Sequence, residues 1–164
     1  MLYFLISLSF AECPTTPPPS SSIVEIQSAD LTTLKEQSHG CTTLLELWAS
    51  WCKPCLDLKK PLHDLMINFP QVHRVPISAD YTKGALKKYL KRNNQSKVGH
   101  YRLAFWSVDG LKSDYAKIGA RFEGAIPFLV LLSAEGNILY SVTEPKQLSS
   151  LEEVLTKHLH QAPQ

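Results

Sequence analysis

The spacing of apolar positions changes several times along the chain, and each change predicts an element. Residues 23–27 (IVEIQ) alternate apolar with polar, as a half-buried strand does. Asp30 then stands ahead of Leu31 and Leu34, which predicts a short helix capped by its carboxylate. Residues 42–49 (TTLLELWA) form a nearly continuous apolar run, the mark of a strand buried on both faces. From Cys52 the period lengthens. Cys55, Leu58, Leu62, Leu65, Met66 and Phe69 share one face of a helix, and Asp57, Lys59, Lys60 and Asp64 the other. Pro61 falls inside this helix and predicts a kink. Residues 71–80 read as a strand that Pro76, lacking a donor, should leave short or irregular.

A second amphipathic helix is predicted over 83–92, with Ala85, Leu86, Tyr89 and Leu90 in a stripe and five basic residues outside it. Residues 100–108 read as an aromatic strand ended by an Asp109-Gly110 turn, and 113–122 as a short helix. Residues 126–142 form two strand-like runs around Glu135-Gly136-Asn137, an antiparallel hairpin signal. A last helix carries Leu148, Leu151, Val154, Leu155 and Leu159 on one face. Strands alternating with helices and closing in a hairpin predict an α/β fold, with a central mixed sheet covered by helices on both faces.

The N-terminal residues do not fit that alternation. Residues 1–11 (MLYFLISLSFA) are apolar, uncharged and end in Ser9-Phe10-Ala11, which predicts a signal peptide cleaved after Ala11. The same run also reads as a core strand, and Cys13 as a lipoprotein cysteine tethering the chain to a membrane. Residues 12–22 hold three consecutive prolines among Ser and Thr, which predicts an extended tether. The organisation expected is therefore signal 1–11, tether 12–22 and one domain over 23–160, in a periplasmic or secreted protein. Composition narrows the functions. A net charge of +2 in 164 residues gives no ground for nucleic acid as a partner. The basic face of residues 83–92 has no aromatic platform beside it and reads as a solvated helix surface. No Gly-rich loop of phosphate-binding spacing occurs, and the six histidines form no constellation.

The chemistry is concentrated in Cys52-Lys53-Pro54-Cys55, two thiols one helical turn apart at a helix start. Unpaired N–H groups and the positive end of the helix dipole there favour a thiolate. Cys52 is then the nucleophile that attacks a disulfide, and Cys55 the thiol that resolves the mixed disulfide. Pro54 suits the first turn, where a missing N–H costs nothing, and Lys53 adds a cation beside Cys52. Two other readings use the same residues. A zinc site would require further ligands, from Cys41, His39 or Cys13, at a spacing unlike a second paired knuckle. A structural disulfide suits any exported protein. Cys41 reads as a small buried residue, with a bridge to Cys13 open.

The segment ELWASWCKPC, residues 46–55, resembles the active-site strand and turn of the thioredoxin superfamily. Ile126-Pro127 before an apolar strand resembles that family's cis-proline, and FLVLLSAEGNILYSV (128–142) its closing hairpin. The resemblance runs from about Ile23 to Leu159. It implies a thioredoxin fold, with an extra segment between Asp80 and Pro127 like that of exported TlpA-type or Dsb-type proteins. It further implies a thiol–disulfide oxidoreductase acting on cysteine-containing proteins. No cofactor is required, since the dithiol carries two electrons, but a membrane or soluble redox partner must regenerate it. Trp51, Lys53, Pro54, Ile126 and Pro127 would contact substrate, Ile126 through its backbone. Glu46, six residues before Cys52 in an apolar strand, stands where thioredoxins hold a buried Asp and many TlpA-type proteins an Asn, and would accept the Cys55 proton. Related alternatives are a reductase of cytochrome c maturation and a copper-handling CxxC module.

Overall fold

The computed structural model describes residues 23–95, 99–143 and 148–160. The expected signal (1–11) and tether (12–22) lie outside the described residues. Among those described, six strands and five α-helices follow the predicted order. They are β1 (Ile23–Ile26), α1 (Leu31–Gln37), β2 (Thr43–Trp48), α2 (Lys53–Ile67), β3 (His73–Ser78) and α3 (Lys83–Arg92). There follow β4 (His100–Leu103), α4 (Val108–Lys117), β5 (Phe128–Leu132), β6 (Ile138–Thr143) and α5 (Ser149–His160). The sheet order is β1-β4-β3-β2-β5-β6. The first four strands in that order are parallel, while β2/β5 and β5/β6 are antiparallel. This is the thioredoxin fold with its mixed central sheet.

Strand β2 is central, and its six residues are all buried. Alternation divides them between two cores. Leu45 and Leu47 join Val130 and Leu132 against Leu31, Leu34, Leu111 and Tyr115 of α1 and α4. Leu44 joins Leu129 and Leu131 against Leu58, Leu62 and Leu65 of α2 and Leu151 and Leu155 of α5. Each fully buried leucine contributes about 1.5–3 kcal/mol, so both faces of β2 resist a one-residue slip, which would exchange the two sets.

Three expectations change. First, β3 runs unbroken through Pro76, paired with β2 along its whole length. The missing donor coincides instead with a short ladder on the β4 side, where only Ile77 and Ser78 are paired. Second, the aromatic strand stops at Leu103. Asp109-Gly110 is no turn, because the Ser107 hydroxyl accepts the Gly110 N–H at 3.0 Å and caps α4. Asp109 then lies in the first turn, favoured by the helix dipole, so this helix starts five residues earlier than its apolar spacing predicts. Third, Asp30 does not cap α1, since its carboxylate reaches back to the Gln27 N–H at 2.8 Å. The hairpin forms around Gly136 at φ 79°, where a Cβ would meet His39 at 2.9 Å. Helix α2 remains one helix with Pro61 inside it.

Candidate active site

Cys52 and Cys55 stand at the N-terminus of α2 because β2 ends beneath it. After Trp48 the chain turns through Ala49, Ser50 and Trp51, and the Cys52 N–H donates to the Ala49 carbonyl at 3.2 Å. Cys52 is the N-cap in extended conformation, and Pro54 occupies the first turn, where no donor is lost. The two cysteines form a disulfide, S–S 2.05 Å. The Cys55 N–H points at Cys52 Sγ, 3.2 Å away. Cys55 is wholly enclosed, whereas Cys52 retains 4% of its surface, so the outer sulfur is Cys52's. Cys41 is buried and is not a free thiol; Cys13 lies outside the described residues.

A loop ahead of β5 packs on this pair. The Ile126–Pro127 peptide is cis, and the Ile126 carbonyl oxygen lies 3.6 Å from Cys52 Sγ. A disulfide sulfur carries no proton, so this is a contact that becomes a hydrogen bond only for a thiol. Gly124 in this loop takes φ 100° and packs against α4, where a Cβ would stand 3.1 Å from Val108.

The Lys53 side chain is largely exposed. Its ammonium pairs with Asp57 at 2.8 Å in an exposed i,i+4 bridge, so its charge is shared and screened. Glu46 is buried on the α2 face of β2, at 2% exposure. It is not a bare acid. Arg74 of β3 donates to one oxygen at 3.0 Å, and Lys59 of α2 lies 4.0 Å from the other. Lys59, expected on the solvated face of α2, instead lies with its ammonium 3.4 Å over the Trp48 ring. Desolvation, reinforced by Arg74, lowers its pKa, while Glu46 and Asp80 oppose the shift. Behind Trp48 stands His100, buried, with neither ring nitrogen partnered. Burial, helped by Lys59, pushes its pKa down to about 4.

Sequence reasoning missed a second buried carboxylate. Asp80, just beyond β3, is fully enclosed. It accepts the Ser50 N–H at 3.1 Å, the Ser50 hydroxyl at 2.5 Å and the Ser78 hydroxyl at 2.7 Å. Arg102, itself ion-paired with Glu25, donates to the Asp80 backbone carbonyl at 2.9 Å. Asp80 thus fixes the turn that carries Trp51 and Cys52. The signal available was an acid closing an apolar strand, which a strand extended to residue 80 absorbed. Among the described residues no three His, Cys, Asp or Glu side chains gather as metal ligands, and no helix is long and apolar enough to cross a membrane.

A sequence profile of the family described as Thioredoxin-like matches residues 40–138. No curated protein matches the chain by sequence. Solved structures share the fold. A thiol:disulfide interchange protein from Bacteroides sp. is 17% identical, with a TM-score of 0.58 and 80% of each chain covered. A thioredoxin-family thiol:disulfide interchange protein from Chlorobium tepidum is 18% identical, with a TM-score of 0.56, covering 76% of this chain and 84% of that one. A secreted disulfide oxidoreductase of Mycobacterium tuberculosis is 20% identical, with a TM-score of 0.51, covering 74% and 85%. With the profile extending over more than half its length, and this fold around its cysteine pair, the chain belongs to the thioredoxin-like family.

Proposed function

We propose that the protein is a thiol–disulfide oxidoreductase that reduces disulfides of cysteine-containing proteins outside the cytoplasm. The observation that carries this is the Cys52–Cys55 pair at the N-terminus of α2, with its outer sulfur beside the cis-proline loop. In the reduced protein, the Cys52 thiolate attacks one sulfur of a substrate disulfide. A Cys52–substrate disulfide forms and the other substrate sulfur leaves as a thiolate. Cys55 loses its proton and attacks Cys52 Sγ, forming the intramolecular disulfide and releasing the second substrate thiolate. Two electrons pass to substrate, the protein is left oxidised, and both substrate sulfurs take up protons from solvent. A membrane or soluble dithiol partner then restores Cys52 and Cys55.

Within this reading Glu46 takes the Cys55 proton, and the Ile126 backbone pairs with the substrate chain as an added strand. Trp51, Pro54 and Pro127 wall the site. Supporting the reducing direction is that the outer sulfur gains little beyond what the helix start itself supplies. A strong oxidant stabilises its reduced form, chiefly the thiolate. Here Cys52 receives the helix N-terminus and the Cys55 N–H, while Lys53 is engaged by Asp57. The signal reading of residues 1–11 supports export, and the Mycobacterium tuberculosis neighbour is described as secreted. Equilibration with glutathione tests the direction. A potential nearer about −270 mV than about −120 mV is expected, with insulin reduced when dithiothreitol is the donor. A value above about −180 mV would make the protein an oxidase or isomerase.

A further inference from the structure

Three aromatic rings stand in a row beside the disulfide. Trp51 stacks on Tyr81, with centroids 5.6 Å apart and planes within 12°. Tyr81 stacks in turn on Trp106, at 5.8 Å and 18°. The three come from separate segments, after β2, β3 and β4. The fold encloses Trp48, Tyr115 and Phe128 completely, yet leaves Trp51 50% exposed and Tyr81 71% exposed. Phe105, next to Trp106, is 79% exposed. Trp106 is half-buried against the core, and the exposed Trp51 and Tyr81 rings stacked on it beside a reactive sulfur form an apolar patch of the kind that marks a binding surface.

The rings are held in place by buried polar groups. Asp80 clamps Ser50, the residue before Trp51, and is itself the residue before Tyr81. The Trp106 indole N–H donates to the Ala79 carbonyl at 3.2 Å. Arg102 donates to the carbonyl of Asp80 and, at 3.4 Å, to that of Tyr81. One buried network therefore fixes all three segments from below, and a surface set in advance loses little entropy when a ligand settles on it.

We propose that Trp51, Tyr81 and Trp106 form a docking platform for the polypeptide segment beside the substrate's reactive cysteine, selecting segments with an aromatic side chain there. This deepens the thiol–disulfide reading and rests on it. The occupant is a polypeptide because the platform is continuous with Cys52. Trp51 is its chain neighbour, and the Ile126 carbonyl, 3.6 Å from Cys52 Sγ, offers an extended chain a backbone partner. The cation of this network, Arg102, is buried and taken by Glu25 and two carbonyls, so it offers nothing to a phosphate. A planar side chain stacks on or against the edges of the row, as aromatic pairs do.

The test uses homodisulfides of two octapeptides that differ only in Phe or Ser next to the single cysteine. Second-order rate constants are measured for their reduction by the reduced protein. The Phe peptide is expected to react about threefold to tenfold faster, the worth of one aromatic pair. Tyr81→Ala and Trp106→Ala are expected to bring the ratio to about one, and Tyr81→Phe to keep it. A substitution that merely loosens the site slows both peptides alike and leaves the ratio standing. A parent ratio of one, or a ratio unchanged in Tyr81→Ala, overturns the platform. In a second arm, tryptophan fluorescence follows titration of the oxidised protein with the same peptides carrying Ser for Cys. Tighter binding of the Phe peptide without any exchange would refute the oxidoreductase reading and keep the platform. Exchange without selectivity in either arm would do the reverse.

Discussion

Asp80→Asn tests whether a buried carboxylate holds the turn ahead of the cysteines. The carboxylate is fully enclosed and accepts three hydrogen bonds, from the Ser50 N–H, the Ser50 hydroxyl and the Ser78 hydroxyl. Hydrogen bonds to a charged acceptor contribute about 1.5–3 kcal/mol each, against about 0.5–1.5 for neutral pairs, so three of them lose about 3 kcal/mol or more in the amide. Removing a buried charge returns part of its desolvation cost. The expected net destabilisation is about 2–4 kcal/mol, measured by urea unfolding of the oxidised protein at neutral pH. Ser50→Ala, which removes one donor but retains the charge, is expected to lose about 1–2 kcal/mol. The two effects must not add, because they share a bond. An Asp80→Asn protein within about 0.5 kcal/mol of the parent, or strict additivity with Ser50→Ala, would refute the clamp.

Three further outcomes follow from the same geometry. Cys52→Ser is expected to abolish exchange, whereas Cys55→Ser accumulates mixed disulfides through Cys52; trapping in the opposite sense, read by mass spectrometry, would reverse the two roles. Glu46→Gln is expected to leave the first attack nearly intact and to slow release of the mixed disulfide by about a hundredfold, the low end of general acid–base effects; equal release rates in stopped flow would remove Glu46 from the mechanism. His100, neutral in the fold down to about pH 4 and titrating near 6.5 when unfolded, takes up its proton first in the unfolded state. Its contribution is therefore complete above pH 6.5 and is lost as pH falls from 6.5 to 4, by at most about 3 kcal/mol at 1.4 kcal/mol per unit. His100→Phe should lose correspondingly less stability between pH 7 and pH 4.5, and parallel losses in parent and variant would sink the assignment.

Local signals were enough for much of this architecture. The apolar run of β2, the helical spacing after Cys52 and the Gly136 hairpin each reflect a period that burial imposes on neighbouring residues. The cysteine pair was visible for the same reason: its chemistry needs one helical turn and nothing distant. Signals that depend on three-dimensional neighbours were invisible. Lys59 has the spacing of a surface lysine, but Glu46 and the Trp48 ring draw it inward. Asp80 looks like the tail of a strand until Ser50, thirty residues away in sequence, is brought to it. Ser107 caps α4 among aromatic residues that read as a strand, since a cap is one hydrogen bond and leaves no periodicity.

Two buried carboxylates, Glu46 expected from the sequence and Asp80 not, have different surroundings near one helix end. Asp80 lies on the approach to Cys52 and is satisfied entirely by short donors, two serine hydroxyls and an N–H, which suits a fixed position. Glu46 lies under α2 and is faced by long cations, with one oxygen left 4.0 Å from Lys59 and without a hydrogen bond. One acceptor oxygen of Glu46 is thus left open. Burial disfavours the Lys59 charge over the Trp48 ring, and the Glu46 and Asp80 carboxylates both oppose that effect. Lys59 belongs to α2, the helix that also carries Cys55, and Glu46 to the strand β2 beneath it. In the proposed mechanism the two acids would serve different steps: Asp80 holds the turn ahead of Cys52 for the first attack, and Glu46 removes the Cys55 proton for the second.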